Sequence, residues 1–505
     1  IFYFYDIAKK YQKIQIKERG EKMNKIEWTS LLKPLFIIFS ILYAIPSIIY
    51  YAINKTVLNF TEEFKFLLHN TNRTEQAIIY LIILIGLTIL YFLIIKNREK
   101  IFKNVKRMYL FITVTAIMYV VVIPFMSSDV FYYLGIGRLN SKYHQNPYYT
   151  TIAEFVENEG NEELLQKDTV LQKGKQNVWT DTTVVYGPVW TFICSIFGAM
   201  SFGNVDVGLL LFKIMAVLLH ILNCYLIYKI TKKKIFVLIY GLNPFILLEG
   251  IASVHNDLYI ITFVLGALYF LINKKKLLLS LVFLALATAI KYFTILLLPF
   301  IIIYYFRDKK PLERLKYCFI YGIIFFILVG ITYILYVQDW TVLMGIFTQQ
   351  EKFAKNFYII LMEYFGTIPD LPVTLNRTLL ICFVIVYFFT CLILLNKKKI
   401  TLKAEMSSCE KFLIAFLFLL ITNFQPWYIM WLFPLLMWQK PEHLRLIVQV
   451  SIISQLANTI FLINGEGWRN GTPYTFFMLL GICICLVINN KRRQNCGQIC
   501  FNRWK

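Results

Sequence analysis

Residues 127–149, SSDVFYYLGIGRLNSKYHQNPYY, put an acid directly behind a hydrocarbon run. Residues 108–126, MYLFITVTAIMYVVVIPFM, are almost wholly apolar and match the roughly 20 residues a helix needs to cross a bilayer. Asp129 follows immediately, and glycine, aromatic and basic residues crowd the positions after it. Over 130–145, Val130, Tyr133, Leu134 and Ile136 against Arg138, Asn140 and Lys142 predict an amphipathic helix lying in the membrane interface. Asn146-Pro147 then turns the chain into a long polar segment. Such a carboxylate at a membrane edge has two readings. With Ser127 and Ser128 it can cap the helix that follows. It can also take a proton from a hydroxyl brought within hydrogen-bond reach.

Composition sets the class. Of 505 residues 58% are hydrophobic, and the mean hydropathy is +0.61, above the ~45–50% apolar share of soluble domains. The chain reads as an all-α polytopic membrane protein. Its net charge of +23 is then first a question of sidedness. Apolar runs fall near 35–53, 77–96, 108–126, 206–230, 235–251, 258–272, 277–290, 292–306, 316–337, 378–395, 411–423, 428–438, 444–463 and 474–490, which predicts about 14 transmembrane helices with both termini on one side. The run 188–203 is short and close to the next, so it is read as re-entrant or interfacial. This map puts the clusters at 274–276, 307–310, 397–399 and 491–493 on one face, the positive-inside pattern, so that face is cytoplasmic. The basicity is topological, and nucleic acid is not an expected partner.

The same map gives a cytoplasmic tail over 1–34, of which 1–22 is either an upstream extension or disordered, with Met23 as a natural start. A single transmembrane domain covers 35–490, with large outer loops at 127–187 and 338–377, and a basic cytoplasmic tail covers 491–505. The inner connections are short. No P-loop or dinucleotide fingerprint is present, so chemistry belongs on the outer face. None of the ten cysteines lies in the long outer segments, which argues against a disulfide framework. Cys496 and Cys500 lack the companions a metal site needs; no metal or cofactor is expected.

Polar residues gather at other outer span ends. LNPFILLEGIASVHND (242–257) breaks a rising span at Asn243-Pro244 and finishes with His255, Asn256 and Asp257, two turns after Glu249. An N-cap needs only one of these. Lys291 interrupts two apolar runs on the outer side, where a compact cation meets either lipid headgroups or a bound phosphate. Lys213 inside a span invites the same two readings. NFQPWY (423–428) combines Gln425, Trp427 and Tyr428, an arrangement that serves either a membrane-edge aromatic belt or a sugar ring. In the acidic stretch 151–183, Asp181 stands out because Tyr186-Gly187-Pro188 returns the chain to the membrane just after it.

Together SSDVFYYLGIGRLNSKYHQNPYY (127–149), VYGPVW (185–190), LNPFILLEGIASVHND (242–257), AIKYFTILLLPF (289–300) and NFQPWYIMWLFP (423–434) resemble the GT-C class of integral-membrane glycosyltransferases, and within it the bacterial polyprenyl-phosphate-mannose-dependent mannosyltransferases. The resemblance implies a GT-C-like bundle with interfacial or re-entrant helices in the first large outer loop. It also implies a polyprenyl-phosphate sugar donor, a glycan or lipid-linked acceptor, and transfer of a hexose, mannose first among them, with inversion. On this chain Asp129 would be the catalytic base, and Lys291 and Arg138 would meet the donor phosphate. Tyr132, Asn146, Tyr148, Asp181, Tyr186, Glu249, His255, Asn256, Asp257, Gln425, Trp427 and Tyr428 would line the sugar and acceptor pocket. The chain lacks a clear Asp-X-Asp, the mark of the metal-dependent oligosaccharyltransferase branch. The competing reading is a secondary transporter or flippase of lipid-linked saccharides, which would show paired broken helices in two related halves and acids near the midplane. A third, a polymerase or ligase of lipid-linked glycans, would differ in donor.

Overall fold

The computed structural model describes residues 28–60, 73–158, 161–343, 355–364, 371–463 and 472–495, and these form helices joined by turns and short connections. Residues 1–27 and 496–505, and parts of the expected outer segments (61–72, 159–160, 344–354, 365–370 and 464–471), lie outside the described residues. Six described helices are long and apolar enough to cross a bilayer: Trp28–Asn54, Ala77–Lys96, Val205–Thr231, Pro311–Tyr333, Leu371–Asn396 and Thr472–Asn489. Lys234–Gly241 and Ile246–Ala252, bent by 60°, make a seventh if taken as one broken span. The chain is thus a multi-pass membrane protein, and among the described residues fewer helices reach full span length than the fourteen apolar runs suggest.

The reason is that an apolar run reports burial and is silent on whether lipid or protein does the burying. Pro311–Tyr333 and Leu371–Asn396 turn their side chains outward, with Phe319 71% and Ile381 61% exposed. Asp257–Ile272, by contrast, is a short apolar helix buried along most of its length. It packs against Leu277–Thr288, where Gly266 admits the Phe283 ring.

Two runs expected to be continuous are broken. The helix in 108–126 is Val105–Met118 and stops there; the following VVVIP sequence combines β-branched residues with Pro124, which bars its neighbour from helical backbone. The run 235–251 stops at Gly241, and after Asn243-Pro244 it resumes as a π-helix over Ile246–Ala252. Asn243 repairs the break, accepting the Phe245 N–H at 3.0 Å and donating to Ser451 Oγ at 3.3 Å. Lys213, buried in Val205–Thr231, donates to the Val122 carbonyl at 2.6 Å and also to the Ala252 carbonyl. Its amine therefore ties both breaks together.

The helix at Asp129–Tyr143 forms as expected, but every residue from Asp129 to Leu139 is buried. Protein covers it on all sides, so it presents no separate lipid-facing stripe. Glycines make this possible. A Cβ on Gly137 would stand 2.0 Å from the Cys194 carbonyl oxygen, and one on Gly198 would stand 2.4 Å from the Gly137 carbonyl carbon. The Pro188–Met200 helix, 13 residues long and too short to span, crosses Asp129–Tyr143 backbone against backbone at this point. Gly137→Ala should therefore lower the thermal stability of the detergent-purified protein by at least the ~1–3 kcal/mol of an overpacked core, read as an earlier melting transition; an unshifted transition would refute the crossing.

Candidate active site

Asp129 opens its helix without being consumed by it. The N-cap residue Ser128 makes no side-chain capping bond, and the Asp129 N–H is satisfied by Ser127 Oγ at 3.3 Å. The carboxylate instead faces side chains: Oδ1 accepts from Trp179 Nε1 at 3.2 Å, and Oδ2 from Tyr133 Oη at 3.4 Å. Asn177 fixes this entry, donating to the Ser128 carbonyl at 2.9 Å while its Oδ1 accepts the Trp179 N–H at 3.0 Å. Asp129 retains 8% exposure.

His255 comes to the same carboxylate from the other side, its Nδ1 at 3.7 Å from Asp129 Oδ2. The imidazole is fully buried and stacks on Trp427, with ring centroids 3.7 Å apart and planes 17° from parallel. Its Nε2 faces Glu249 Oε2 at 3.2 Å. Val254, just before it, has φ +59°, a left-handed conformation that a β-branched residue adopts only at a cost of ~1–3 kcal/mol. Burial holds the His255 imidazole well below its ordinary range, and the Lys291 charge adds to the effect.

Lys291 forms the third corner. Its Nζ donates to Asp257 Oδ1 at 2.7 Å, and the same oxygen accepts Trp431 Nε1–H. Three rings surround the ammonium, those of Tyr428 at 4.5 Å, Trp431 at 5.5 Å and Tyr186 at 5.8 Å from Nζ to centroid. Burial pushes the lysine below its usual range and Asp257 pulls it back up. Two local structures set this cage. Residues Pro426–Trp438 form a 3-10 helix, in which residues three apart eclipse; Tyr428 and Trp431 accordingly stack at 4.5 Å, and Phe293 covers the other face of Trp431 at 3.7 Å. Tyr186 arrives because the Gly187 and Val189 N–H groups bond to the Ile290 and Ala289 carbonyls, each at 3.0 Å. A Cβ at Gly187 would stand 2.3 Å from the Ala289 oxygen. Tyr133 Oη and Tyr186 Oη, 3.4 Å apart, join the Asp129 corner to the Lys291 corner.

The structure thus gathers Asp129, Tyr186, Glu249, His255, Asp257, Lys291, Trp427 and Tyr428. Asn256, wholly buried with neither amide atom hydrogen-bonded, and Gln425, whose Nε2 donates to Asn423 Oδ1 at 2.9 Å, sit in the same two segments. Others stand behind the site. Tyr132 donates to the Thr182 carbonyl at 2.9 Å and Tyr148 to the Tyr186 carbonyl at 2.8 Å, bracing the loop that carries Tyr186. Asn146 donates to the Tyr336 carbonyl at 2.7 Å. Arg138 is placed elsewhere: its Nε binds Asp168 Oδ2 at 2.6 Å and Nη1 binds the Gly198 carbonyl at 3.3 Å, more than two helical turns beyond Asp129. Asp181 is exposed. Its near neighbour Trp179, unmarked by sequence reasoning, is the one that reaches Asp129; Tyr133 and Trp431 were also missed. Tyr133 lies one helical turn from Asp129, a spacing that could have flagged it. Among the described residues no group of three or more His, Cys, Asp or Glu has metal-holding geometry.

Residues 37–307 match the alpha-(1->6)-mannopyranosyltransferase N-terminal domain of the MptA/B family. That is more than half of the chain. The protein belongs to this family, whose members are polyprenyl-phosphate-mannose-dependent enzymes of the GT-C class. It is a mannosyltransferase. Comparison with curated proteins and with solved structures returns no match. Asp129, Glu249, His255, Asp257 and Lys291 fall inside the matched stretch of this mannosyltransferase, while Trp427, Tyr428 and Trp431 lie beyond it.

A hydrogen bond to an ionised group is worth ~1.5–3 kcal/mol. Trp179→Phe, which keeps a ring and removes only the indole N–H, should therefore reduce kcat of mannose transfer about tenfold to hundredfold, with Asp181→Asn as the unaffected control. Equal rates in the two variants would contradict the placement of Trp179.

Proposed function

We propose that this mannosyltransferase moves mannose from a polyprenyl-phosphate donor to a glycan or lipid-linked acceptor on the outer face of the membrane, with inversion and with Asp129 as general base. The observation that supports it best is the pairing of a carboxylate corner and a cation corner across the touching hydroxyls of Tyr133 and Tyr186. Transfer needs that separation of charge. The acceptor hydroxyl oxygen attacks the anomeric carbon and passes its proton to Asp129, while the anomeric carbon–oxygen bond breaks and its electron pair leaves with the phosphate. A base on one side and a cation on the other stabilise the two changes as they develop. The phosphate leaves as an anion beside Lys291, so the leaving group needs no proton. The aromatic faces of Trp427 and Tyr428 and the amides of Asn256 and Gln425 suit a sugar ring and its hydroxyls.

The fold assigned to this function is a GT-C-like bundle in which the shorter apolar helices also lie at membrane depth, held inside protein. The basic clusters on one face orient it, with the termini cytoplasmic and the site extracytoplasmic. Confinement of a lipid-linked donor to the bilayer explains why every site residue stands at or near the end of an apolar helix. The flippase alternative has less support, because the acids converge on one cluster with a neighbouring cation, whereas a pair of related half-sites would be expected of a transporter.

Asp129→Asn preserves shape and one accepting oxygen but removes the base. It should lower kcat by about 10²–10⁴-fold with polyprenyl-phosphate mannose as donor, in protein that folds normally; wild-type rates would eliminate the assignment. Lys291→Met alone strands Asp257, a loss that costs ~3–5 kcal/mol for a buried pair. The double variant Lys291→Met/Asp257→Asn should recover stability yet show a donor KM raised about tenfold or more, since a buried charge-assisted contact is worth at least ~1.5 kcal/mol. Measuring both melting temperature and donor KM separates the two effects.

A further inference from the structure

The two hydroxyls that join the corners of the site carry a direction. Tyr133 Oη donates to Asp129 Oδ2 at 3.4 Å and stands 3.4 Å from Tyr186 Oη. A phenol has one proton and two lone pairs. Tyr133 gives its proton to the carboxylate, so towards Tyr186 it can only accept, and the Tyr186 proton must point at Tyr133. Burial holds both phenols well above their ordinary range, and the Asp129 charge adds to the effect, so each keeps its proton. Packing fixes both rings in this arrangement. Tyr133 is buried, edge-on to Trp190 at 4.9 Å and to Tyr186 at 5.6 Å. The Tyr186 carbonyl accepts from Tyr148 Oη at 2.8 Å, and the next N–H, of Gly187, bonds to the Ile290 carbonyl at 3.0 Å.

The consequence lies on the substrate side. Among the described residues Tyr133 is the hydrogen-bond partner of Tyr186 Oη, and Tyr186 is only half-buried, so its oxygen meets an incoming ligand with lone pairs alone. Lone pairs repel the oxygens of a phosphate and attract the proton of a hydroxyl. The cation uses a different part of the same residue, since Lys291 Nζ stands over the ring of Tyr186 at 5.8 Å from its centroid, against the negative face. Transfer places the anomeric carbon between the Asp129 and Lys291 corners, where Tyr186 stands. The mannosyl hydroxyl nearest to that carbon is the one on the adjoining carbon, the 2-hydroxyl. Hydrogen bonds to a 2-hydroxyl strengthen in transition states of oxocarbenium character. We infer that Tyr186 is a specificity-determining residue for the donor, accepting a hydrogen bond from the 2-hydroxyl of the mannosyl group, and that Tyr133 is the positioning residue that sets this direction. The inference rests on Asp129 being the base and on the donor phosphate lying at Lys291.

The test uses the full-length chain in detergent with an alkyl α-mannoside as acceptor, and measures kcat/KM for polyprenyl-phosphate mannose and for its 2-deoxy and 2-deoxy-2-fluoro analogues. Comparing variants by the ratio of mannose to analogue cancels the intrinsic reactivity of each donor. Tyr186→Phe keeps the ring face and removes the hydroxyl. In it the preference for mannose over the 2-deoxy donor should fall about threefold to tenfold, and the preference over the 2-fluoro donor at least as far, because fluorine cannot donate. Inhibition by polyprenyl phosphate should stay within about twofold, since the face beside Lys291 is unchanged. In Tyr133→Phe the Tyr186 proton is released and can reach fluorine, so the preference for mannose over the 2-fluoro donor should fall about threefold. Unchanged preferences in Tyr186→Phe, a fall confined to the 2-deoxy donor, weakened inhibition by polyprenyl phosphate, or an unchanged 2-fluoro preference in Tyr133→Phe would each overturn the inference. If Tyr186→Phe does not fold, the 2-fluoro preference in Tyr133→Phe decides alone. Asp129→Asn is assayed alongside: full activity there removes the base itself, whereas an inactive Asp129→Asn with unchanged preferences in the tyrosine variants removes only the role given to Tyr186.

Discussion

Broken helices inside an apolar bundle leave carbonyls that no water can reach, and the fold depends on one lysine to serve them. Lys213 donates to Val122, beyond the end of one interrupted run, and to Ala252, at the end of the π-helix. An unsatisfied backbone group at such depth costs several kcal/mol, and the Lys213 amine meets that need at both interruptions. Those interruptions are what the site needs. The first releases the chain from its helix so that Ser127 and Asp129 start a new one, and the second lets Ala252 lead through Val254 into His255. A lysine buried in a membrane segment usually invites a functional reading; here it makes irregular backbone tolerable beside the candidate site.

Much of the cluster that the structure gathers could be singled out in the sequence, for a physical reason. Asp129, His255, Asp257 and Lys291 are polar residues where apolar runs end, and an apolar environment makes each of them conspicuous. The residues that went unmarked are aromatic ones in a chain that is 17% aromatic. Trp179, Tyr133 and Trp431 act through one N–H or O–H each, and nothing in a one-dimensional pattern tells a donating ring from a packing ring. Arg138 failed in the opposite way. As a cation close to Asp129 in sequence it looked suited to phosphate, yet the rise of the helix carries it to Asp168, with which it forms a buried pair. Span length was hard to read for a related reason, because hydropathy does not separate Phe319, which faces outward, from Leu258, which is enclosed.

The electrostatic composition of the site follows from where each acid is anchored. Asp257 is neutralised by Lys291 and an indole, Asp129 is held by neutral donors, and Glu249 faces an imidazole. Of the three, Asp129 is the acid with measurable exposure. The N-terminal half that defines the family supplies all three acids. The aromatic walls come from 427–431, so the pocket is complete only when the C-terminal half has folded onto it.

Those walls stand on a thirteen-residue 3-10 helix, Pro426–Trp438, an uncommon length for that winding. At ~2.0 Å per residue it reaches ~26 Å, against ~20 Å for the same residues wound as an α-helix. A stretch that by count falls well short of a bilayer crossing thus has a length close to the ~30 Å hydrocarbon depth. The stretched winding exchanges hydrogen-bond quality for reach, and its threefold repeat stacks Tyr428 on Trp431 beside the lysine.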